Sequence, residues 1–442
     1  VGKISPRGEA AVIRLIVIFI IWAIISLISL TFLAVLLRRL YMKRRYRLLD
    51  AEREKFRFFY DSLISGAPLD LKELKDAGPI GRQALEEYLF KALEANGERN
   101  DILGYFDELG FTEDYIKRLK GGNYWEQAFA SDRLGRIRCG RAVPELIDAL
   151  GRKNRDVKNM AVHSLGAIRD KRAVPHLINI LKESVQKDEE VSLRIIKSSL
   201  ISLGQEAVAE LIAELKCPVW QVRSATADIL GEIGSREAEA PFIEALSDPE
   251  QDIRAKAAKG LGKIKSRAAI PHLYNAALDR FWVVRLHAVR ALGLIGEPQA
   301  IDAVRARLVD KNWQVRRVAA EALGGLGDGA FPVLLEVFLY DEDRYAKEQA
   351  SFAFEKAGVI NGLMDFLLTP EISKNPQYFA DIKGDPPQSK GFGSTGVFRE
   401  MALKLKEAGE NRCREAIKYF AAKDFSAKEV EEAVESVKRL EA

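Results

Sequence analysis

The chain has 442 residues, of which 48% are hydrophobic and 30% are charged. This composition is typical of a folded protein, and the length fits two to four ordinary domains or one long repeat array. Three widely spaced cysteines, Cys139, Cys217 and Cys413, argue against a disulfide framework and favour a reducing compartment. The sequence has no CxxC and no HExxH motif, which argues against a zinc hydrolase. We expect neither a metal nor a cofactor.

The net charge of +4 is concentrated near the start of the chain. Residues 1–50 hold nine Lys/Arg and two Asp/Glu, which gives +7, so the other 392 residues carry −3. A protein that binds nucleic acid needs a basic face on its folded domain. We therefore predict no nucleic-acid partner.

A long apolar segment follows a short N-terminal segment, residues 1–14. Residues 15–37 contain no charged side chain, and as a helix they would span ~34 Å, enough to cross a ~30 Å hydrocarbon core. The apolar core of a signal peptide is shorter, about 7–15 residues. The sequence predicts an uncleaved transmembrane helix, and hence contact with the lipid bilayer through one span.

Basic residues cluster directly after this segment. Lys/Arg-rich flanks stay on the cytoplasmic side of a membrane, so we predict a single-pass membrane protein with its C-terminal domain in the cytoplasm. The cluster would also lie on anionic headgroups, although a simple stop-transfer flank explains it better than specific lipid recognition does. The six residues are Arg38, Arg39, Lys43, Arg44, Arg45 and Arg47.

The body of the chain contains an internal repeat. Periods of 20–50 residues indicate a solenoid, and four of the six steps between successive Leu-Gly pairs are 31 residues long. Small pairs such as Ala257-Ala258 precede each Leu by three or four residues, which places them on one helix face. The Leu-Gly pairs begin at Leu134, Leu165, Leu203, Leu230, Leu261, Leu292 and Leu323.

Acidic and basic residues recur with the same period. Each Asp precedes a basic residue by six positions, so it can accept backbone N–H bonds in its own turn and face the basic residue of a stacked neighbour. We interpret this ladder as structural, with ligand binding as the alternative. Its members are Asp248, Arg254, Asp279, Arg285, Asp310, Arg316, Asp341 and Lys347.

The pattern D-x5-[RK] with A-A-x2-L-G-x-[IL]-[GK] resembles the HEAT repeat, in the short variety first associated with phycobilisome lyases. The resemblance covers roughly residues 112–358 and implies an all-α protein, an α-solenoid of HEAT-like repeats with an N-terminal transmembrane helix. The remaining segments are a basic juxtamembrane helix at 38–66, a helical lead-in at 67–123, the solenoid at 124–360, a loop or linker at 361–396 and a C-terminal helical pair at 397–442. We predict that the second helix of this pair begins with a capping box formed by Ser426 and Glu429.

The anchor, the basic helix and the terminal repeat together resemble bacterial membrane-anchored HEAT-repeat proteins found beside envelope glycosyltransferases. That resemblance implies a setting, an envelope polysaccharide system at the bacterial inner membrane, and not a mechanism. A solenoid offers a long curved surface and an anchor raises its concentration near membrane-bound partners, so we predict a non-enzymatic scaffold or adaptor for membrane-associated protein partners. The alternative is a lyase-like enzyme or chaperone of the phycobilisome-lyase type. An iron-dependent hydroxylase of the same broad type uses His-Glu pairs, and no histidine here is followed by glutamate.

Three tryptophans recur ten residues before the Leu of a Leu-Gly pair. Trp offers a large rigid surface with one hydrogen-bond donor, so these residues are candidates for partner binding; the alternative is packing between repeats. The outward-facing positions of the second helices carry charges of both signs. Such a surface suits a protein partner better than a phosphate backbone, although a charged face that simply contacts solvent and binds no partner is equally expected. The candidates are Trp220, Trp282, Trp313, Arg290 and Arg317.

Gly391 to Gly396 spells G-x-G-x-x-G, the dinucleotide fingerprint. That motif needs a preceding strand within a βαβ unit, whereas Pro386-Pro387 precedes it here in a chain that is otherwise helical in pattern. We therefore expect no catalytic or nucleotide-binding residues in this segment.

Overall fold

The computed structural model describes residues 6–66, 71–96, 100–186, 191–369, 395–421 and 425–440. Every regular element in these ranges is a helix, which confirms the all-α class. The chain divides into two compact units, Val1–Cys139 and Gly140–Ala442. The boundary falls inside the segment 124–360 that the sequence assigned to the solenoid.

Unit 1 begins with one helix of 50 residues, α1, which joins the apolar segment to most of the predicted juxtamembrane helix. The buried ring of Phe56 interrupts the helix, and the chain resumes as a second helix one residue later. The lead-in is helical, as expected, and its last part, Phe111–Gly121, is a helix of 11 residues. The helices are α1 Pro6–Lys55, α2 Arg57–Ser65, α3 Lys72–Lys75, α4 Pro79–Asn96, α5 Asn100–Glu108, α6 Phe111–Gly121 and α7 Tyr124–Arg136.

The end of α1 packs into the core of unit 1. Arg53 Nη2 lies 2.6 Å from a Glu87 carboxylate oxygen on α4, and the Tyr88 hydroxyl donates to the carbonyl of Arg53 at 2.8 Å. Gly81 permits the approach of α4, since a Cβ there would lie 3.0 Å from a Glu52 carboxylate oxygen. The helix that carries the apolar segment therefore continues without a break into a folded core.

Unit 2 contains seven pairs of helices followed by four further helices within the described residues. The first helix of a pair opens near a proline in several repeats, as at Pro144 and Pro271, where the missing N–H is not needed. The pairs are α8 Val143–Leu150 and α9 Arg155–Ile168; α10 Val174–Gln186 and α11 Leu193–Leu203; α12 Val208–Glu214 and α13 Trp220–Ile233; α14 Glu239–Ala245 and α15 Gln251–Lys263; α16 Ile270–Ala276 and α17 Trp282–Ile295; α18 Ile301–Arg305 and α19 Trp313–Gly325; α20 Ala330–Tyr340 and α21 Arg344–Ala357.

The second helices stack closely on one another, and the glycine of several Leu-Gly pairs makes this possible. A methyl group on Gly293 would lie 2.6 Å from Cβ of Ala322, which is too close for any real contact. Gly262 meets Ala291 in the same way, at 2.8 Å from its Cα. The repeated glycine is therefore a packing requirement between α15, α17 and α19.

An arginine clamp joins the turn of one repeat to the turn of the next. Arg254 donates to the carbonyl of Asp248 at 2.8 Å in its own turn, and to both carboxylate oxygens of Asp279 in the following turn, at 2.7 and 3.1 Å. Asp279 also accepts the N–H of Phe281 at 2.8 Å. Arg285 and Asp310 repeat this geometry one unit later.

The ladder also extends one step before the predicted set and changes at its end. Arg223, which the sequence analysis left out, pairs with Asp248 at 2.8 Å. Arg316 keeps the bond to the Asp310 carbonyl, at 2.7 Å, but its guanidinium lies 4.8 Å from the ring centroid of Tyr345. Asp341 accepts the N–H of Asp343, and Lys347 is half-buried on α21.

The C-terminal region differs from the sequence prediction at both ends. Residues 361–368, which the sequence assigned to a loop, belong to helix α22. The expected C-terminal pair is three helices, because Gly409, with φ of +83°, divides the first expected helix into two. The capping box of Ser426 and Glu429 is confirmed. The rest of the predicted loop, 370–394, lies outside the described residues. The four helices are α22 Val359–Leu368, α23 Thr395–Glu407, α24 Glu410–Ala421 and α25 Ala427–Arg439.

One histidine lies largely buried among the second helices. His287 on α17 has its Nδ1 atom buried without a hydrogen-bond partner. Burial, together with the nearby positive charges of Arg290 and Lys259, lowers the pKa of His287 to about 4, while Asp252 acts weakly in the opposite direction. The imidazole is therefore neutral in the folded protein at neutral pH.

The clamp predicts a large effect of one substitution on stability. Arg285→Ala should lower the free energy of unfolding by about 1–4 kcal/mol, because it removes both guanidinium bonds to the carboxylate of Asp310, which is 3% exposed, and leaves it the more distant Arg307 at 3.9 Å. Arg317→Ala is the matched control, since Arg317 is 55% exposed in its pair with Glu321 and should cost no more than about 1 kcal/mol. Denaturant unfolding of both variants in detergent measures this, and equal costs would contradict a structural role for the clamp.

His287 predicts a pH dependence with a defined sign. Since its folded pKa of about 4 lies below the ordinary value, the unfolded chain takes up a proton that the folded chain does not, and stability is lost as pH falls from about 6.5 towards 4. Relative to His287→Gln, the native chain should lose on the order of 1 kcal/mol more between pH 7 and pH 5. Urea unfolding at the two pH values tests this, with the exposed His163→Gln as the control.

Candidate partner-binding surface

The three candidate tryptophans occupy the same place in their repeats. Trp220, Trp282 and Trp313 are the first residues of α13, α17 and α19, directly after the turn from the first helix. Their exposed fractions are 44%, 40% and 58%. Because so much of each side chain faces solvent, packing between repeats accounts for only part of the role of these rings.

A second apolar column lies beside the tryptophans, and the sequence analysis missed it. Leu278, Val309 and Tyr340 immediately precede the ladder aspartates at intervals of 31 residues, and they are 67%, 51% and 48% exposed. The 31-residue period alone would have revealed this column. We call the exposed apolar set the turn edge; its members are Leu278, Trp282, Val309, Trp313, Tyr340 and Tyr345.

Candidate arginines continue from the turn edge along the second helices. Residues four or eight apart lie on one helix face, so Arg290 shares a face with Trp282 on α17, and Arg317 shares one with Trp313 on α19. Arg290 is exposed, and Arg317 forms an exposed ion pair with Glu321 at 3.4 Å. The surface therefore combines aromatic rings with nearby guanidinium groups.

Other charges on the second helices are paired between repeats. Lys197 on α11 lies 2.7 Å from Asp228 on α13, and Lys259 on α15 lies 2.7 Å from Glu232 on α13. Hydrogen bonds from Lys259 and Lys263 lower the pKa of Glu232 to about 2. Because these charges largely neutralise one another, the surface does not present the single sign that a phosphate backbone requires.

A serine, a lysine and an aspartate form the most reactive-looking cluster on these helices. Lys256 Nζ donates to Ser224 Oγ at 2.5 Å and to Asp252 at 2.8 Å, and the Ser224 hydroxyl bonds Asp252. Burial raises the pKa of Asp252, yet bonds from Lys256 and Ser224 leave it below its ordinary value. With Ser224 buried and both partners ionised, the cluster joins α13 to α15 and does not resemble an activated nucleophile.

The described residues bear on metal ligands, whereas most of the glycine motif lies outside them. Within those residues no three His, Cys, Asp or Glu side chains group closely enough to hold a metal ion. Residues 391–394 of the glycine motif lie outside the described ranges, and Thr395 begins helix α23.

The N-terminal helix presents an apolar surface over the predicted span. Of the described helices, one is long and apolar enough to cross a membrane by length and composition, and its apolar window is not buried by the rest of the chain. A signal sequence near the N-terminus would have the same properties. All six basic residues of the predicted membrane-surface cluster lie on this same helix and are exposed.

Several solved structures resemble the chain at low sequence identity. An engineered protein matches at 17% identity over 86% of this chain and 98% of its own, with a TM-score of 0.37. Human deoxyhypusine hydroxylase, solved in complex with glycerol, matches at 20% identity, with a TM-score of 0.25. The match covers 62% of this chain and 97% of the hydroxylase chain. The complex of CpcE and CpcF of phycocyanin lyase from Nostoc sp. PCC7120 matches at 21% identity, also with a TM-score of 0.25. That match covers 55% of this chain and 86% of the other. No curated protein sequence matches.

The repeat itself is matched directly. A family model described as HEAT repeats aligns with residues 112–195, 208–285 and 270–355, which together make up more than half of the chain. These ranges coincide with the paired helices and with the span over which the repeat pattern was found in the sequence. The chain belongs to the HEAT-repeat family.

Proposed function

We propose that this protein is a membrane-anchored scaffold whose HEAT-repeat unit binds protein partners at the cytoplasmic face of a bacterial inner membrane. The observation that carries the proposal is the turn edge, where exposed apolar side chains recur through three successive repeats. Exposed apolar surface on a soluble face is costly unless a partner covers it. Apolar repetition combined with nearby arginines is the composition expected of a protein interface.

The anchor supports the membrane location. The exposed apolar part of α1 is followed, on the same helix, by six exposed basic residues, which favour the cytoplasmic side. A membrane anchor restricts the solenoid to the bilayer surface and so raises its effective concentration near membrane-bound partners. This geometry favours a membrane-associated partner over a soluble one.

The chemistry of the surface defines the partner segment. Trp282 and Trp313 offer aromatic contact, and Arg290 and Arg317 on the same helix faces offer positive charge. The matching segment carries apolar side chains and carboxylates. By resemblance, the partner that we favour is a glycosyltransferase of an envelope polysaccharide system.

The alternative class is a lyase-like enzyme or chaperone. An enzyme would need a pocket with converging titratable groups. The described second helices of unit 2 instead present charges that are paired with one another, such as Lys197 with Asp228. A scaffold therefore accounts better for this surface.

The topology can be tested with reporter fusions. Because the basic cluster follows the apolar segment, alkaline phosphatase fused after Ala442 should be inactive, whereas green fluorescent protein at the same position should fluoresce. The protein should also stay in the membrane pellet after carbonate extraction. An active phosphatase fusion would place the solenoid outside the cytoplasm and contradict the proposed location.

The partner surface can be tested by removing two rings. Trp282→Ala with Trp313→Ala should weaken partner capture from detergent-solubilised native membranes by at least about 2 kcal/mol, roughly 30-fold, because both are exposed anchors. Trp125→Ala is the control, since Trp125 is a tryptophan outside the repeat pairs of unit 2 that is more exposed, at 66%, than either of the two rings.

Circular dichroism melts separate binding from folding in this experiment. The double variant should melt close to the native chain, because a large part of each ring faces solvent. Early melting with a parallel loss of capture would show that the rings support the fold. Unchanged capture by a stable double variant would rule out the turn edge as the partner surface.

A further inference from the structure

Unit 1 contains a cavity that the scaffold role does not use. The cavity has a volume of about 550 Å³ and is lined by residues of α1, α4, α6 and α7. Four arginines from these four helices face it: Arg45, Arg82, Arg118 and Arg133. We call this cavity the arginine pocket.

The positive charge of the arginine pocket exceeds its negative charge. Arg82 pairs with Asp114 at 2.7 Å, and Arg133 lies 3.1 Å from Glu86. The third carboxylate of the lining, that of Glu87, pairs with Arg53 on α1. Each acidic group thus already has its own arginine.

Two arginines of the lining remain without a carboxylate. Arg45 donates to the neutral side-chain oxygen of Gln83 at 3.0 Å, and Arg118 has no ion pair within the described part of unit 1. Guanidinium groups match the geometry of phosphate and carboxylate oxygens, and they stay charged at all physiological pH values. The pocket is therefore suited to an anion with up to two negative charges.

Buried polar atoms in the lining also lack hydrogen bonds. The Tyr115 side chain is 2% exposed, and its hydroxyl, Glu86 Oε1 and Arg133 Nε are all buried without an aligned partner. Glu86 lies beside both of the others: its carboxylate faces the Tyr115 hydroxyl and lies 3.1 Å from Arg133 Nε. Burial, with the charge of Glu86 next in weight, raises the pKa of Tyr115, so its hydroxyl keeps its proton and remains a donor. A bound anion would give the two donors, the Tyr115 hydroxyl and Arg133 Nε, a further acceptor, whereas Glu86 Oε1 is itself an acceptor and gains no partner from an anion.

The position of Arg45 on α1 relates the pocket to the membrane, and this step rests on the proposed anchor. Helix α1 runs unbroken from the apolar segment, so Arg45 lies eight residues, or about 12 Å, beyond Leu37. The headgroup layer adds roughly 5–8 Å on each side of the hydrocarbon core. With the length of an arginine side chain, the pocket is within reach of lipid headgroups.

We propose that the arginine pocket binds the phosphate ester of an anionic membrane lipid. Arg45 and Arg118 neutralise the phosphate, and the Tyr115 hydroxyl donates to one of its oxygens. A phosphate monoester such as that of phosphatidic acid carries the charge that the two free arginines balance. A soluble phosphate ester shares this chemistry, and the experiment separates the two sources.

Native mass spectrometry of the full chain in detergent tests the proposal, with dioleoyl phosphatidic acid, dioleoyl phosphatidylcholine and glycerol 3-phosphate as probes. The native chain should retain one molecule of phosphatidic acid at least 5-fold more readily than phosphatidylcholine. Arg45→Gln with Arg118→Gln should abolish that preference, and Tyr115→Phe, which removes only the hydroxyl, should reduce it about 3-fold. Arg44→Gln with Arg47→Gln is the control, since it removes the same number of positive charges from α1 alone, outside the pocket lining.

The outcomes separate the competing explanations. An equal loss in the control variant would assign lipid binding to diffuse charge on α1 and overturn the proposal. Displacement of phosphatidic acid by glycerol 3-phosphate at similar concentration would assign the site to a soluble phosphate ester and overturn the lipid source. If the arginine variant fails to fold, Tyr115→Phe decides alone. Loss of lipid preference in a chain that still resists carbonate extraction and captures its partner would refute this pocket while leaving the scaffold role intact.

Discussion

The stacking of second helices depends on an arginine that is bonded in two repeats at once. Arg254 donates to carbonyls in its own turn and to the Asp279 carboxylate in the next, so one side chain fixes the register of two repeats. The Asp in turn holds the backbone N–H that begins the next second helix. Bidentate arginine pairs are directional as well as strong. The turns of the central repeats consequently follow one another in a regular series.

This regular series explains where the candidate surface lies. Once the turns are in register, any exposed residue at a fixed distance from the ladder Asp forms a column, and the columns of Leu278 and Trp282 arise in this way. The close contacts at Gly262 and Gly293 lie near the other, C-terminal ends of these helices. They keep α15, α17 and α19 near one another there. A partner segment would therefore meet equivalent side chains in successive repeats, which is the usual mode of recognition by repeat proteins.

The sequence predicted what depends on period and hydropathy, and less of what depends on tertiary contact. The 31-residue spacing predicted the paired helices, and the spacing of charges predicted that Asp279 and Arg285 belong to one ladder between stacked repeats. A single glycine, Gly409, was enough to turn an expected helix into two, since pattern alone does not show which glycine adopts a positive φ. The arginine pocket was not predictable, because Arg45 and Arg118 are 73 residues apart and meet only after unit 1 has folded.

The unbroken passage of α1 from its apolar segment into unit 1 has a mechanical consequence. A flexible linker would let a domain rotate freely beneath its anchor, but here Arg53 and Tyr88 fix the end of the same helix to α4. If α1 spans the membrane as proposed, a change in the tilt of the helix, such as a thinner or thicker bilayer would impose, must turn unit 1 by the same angle. The anchor would act as a lever arm, and bilayer thickness would set the direction in which the first unit faces.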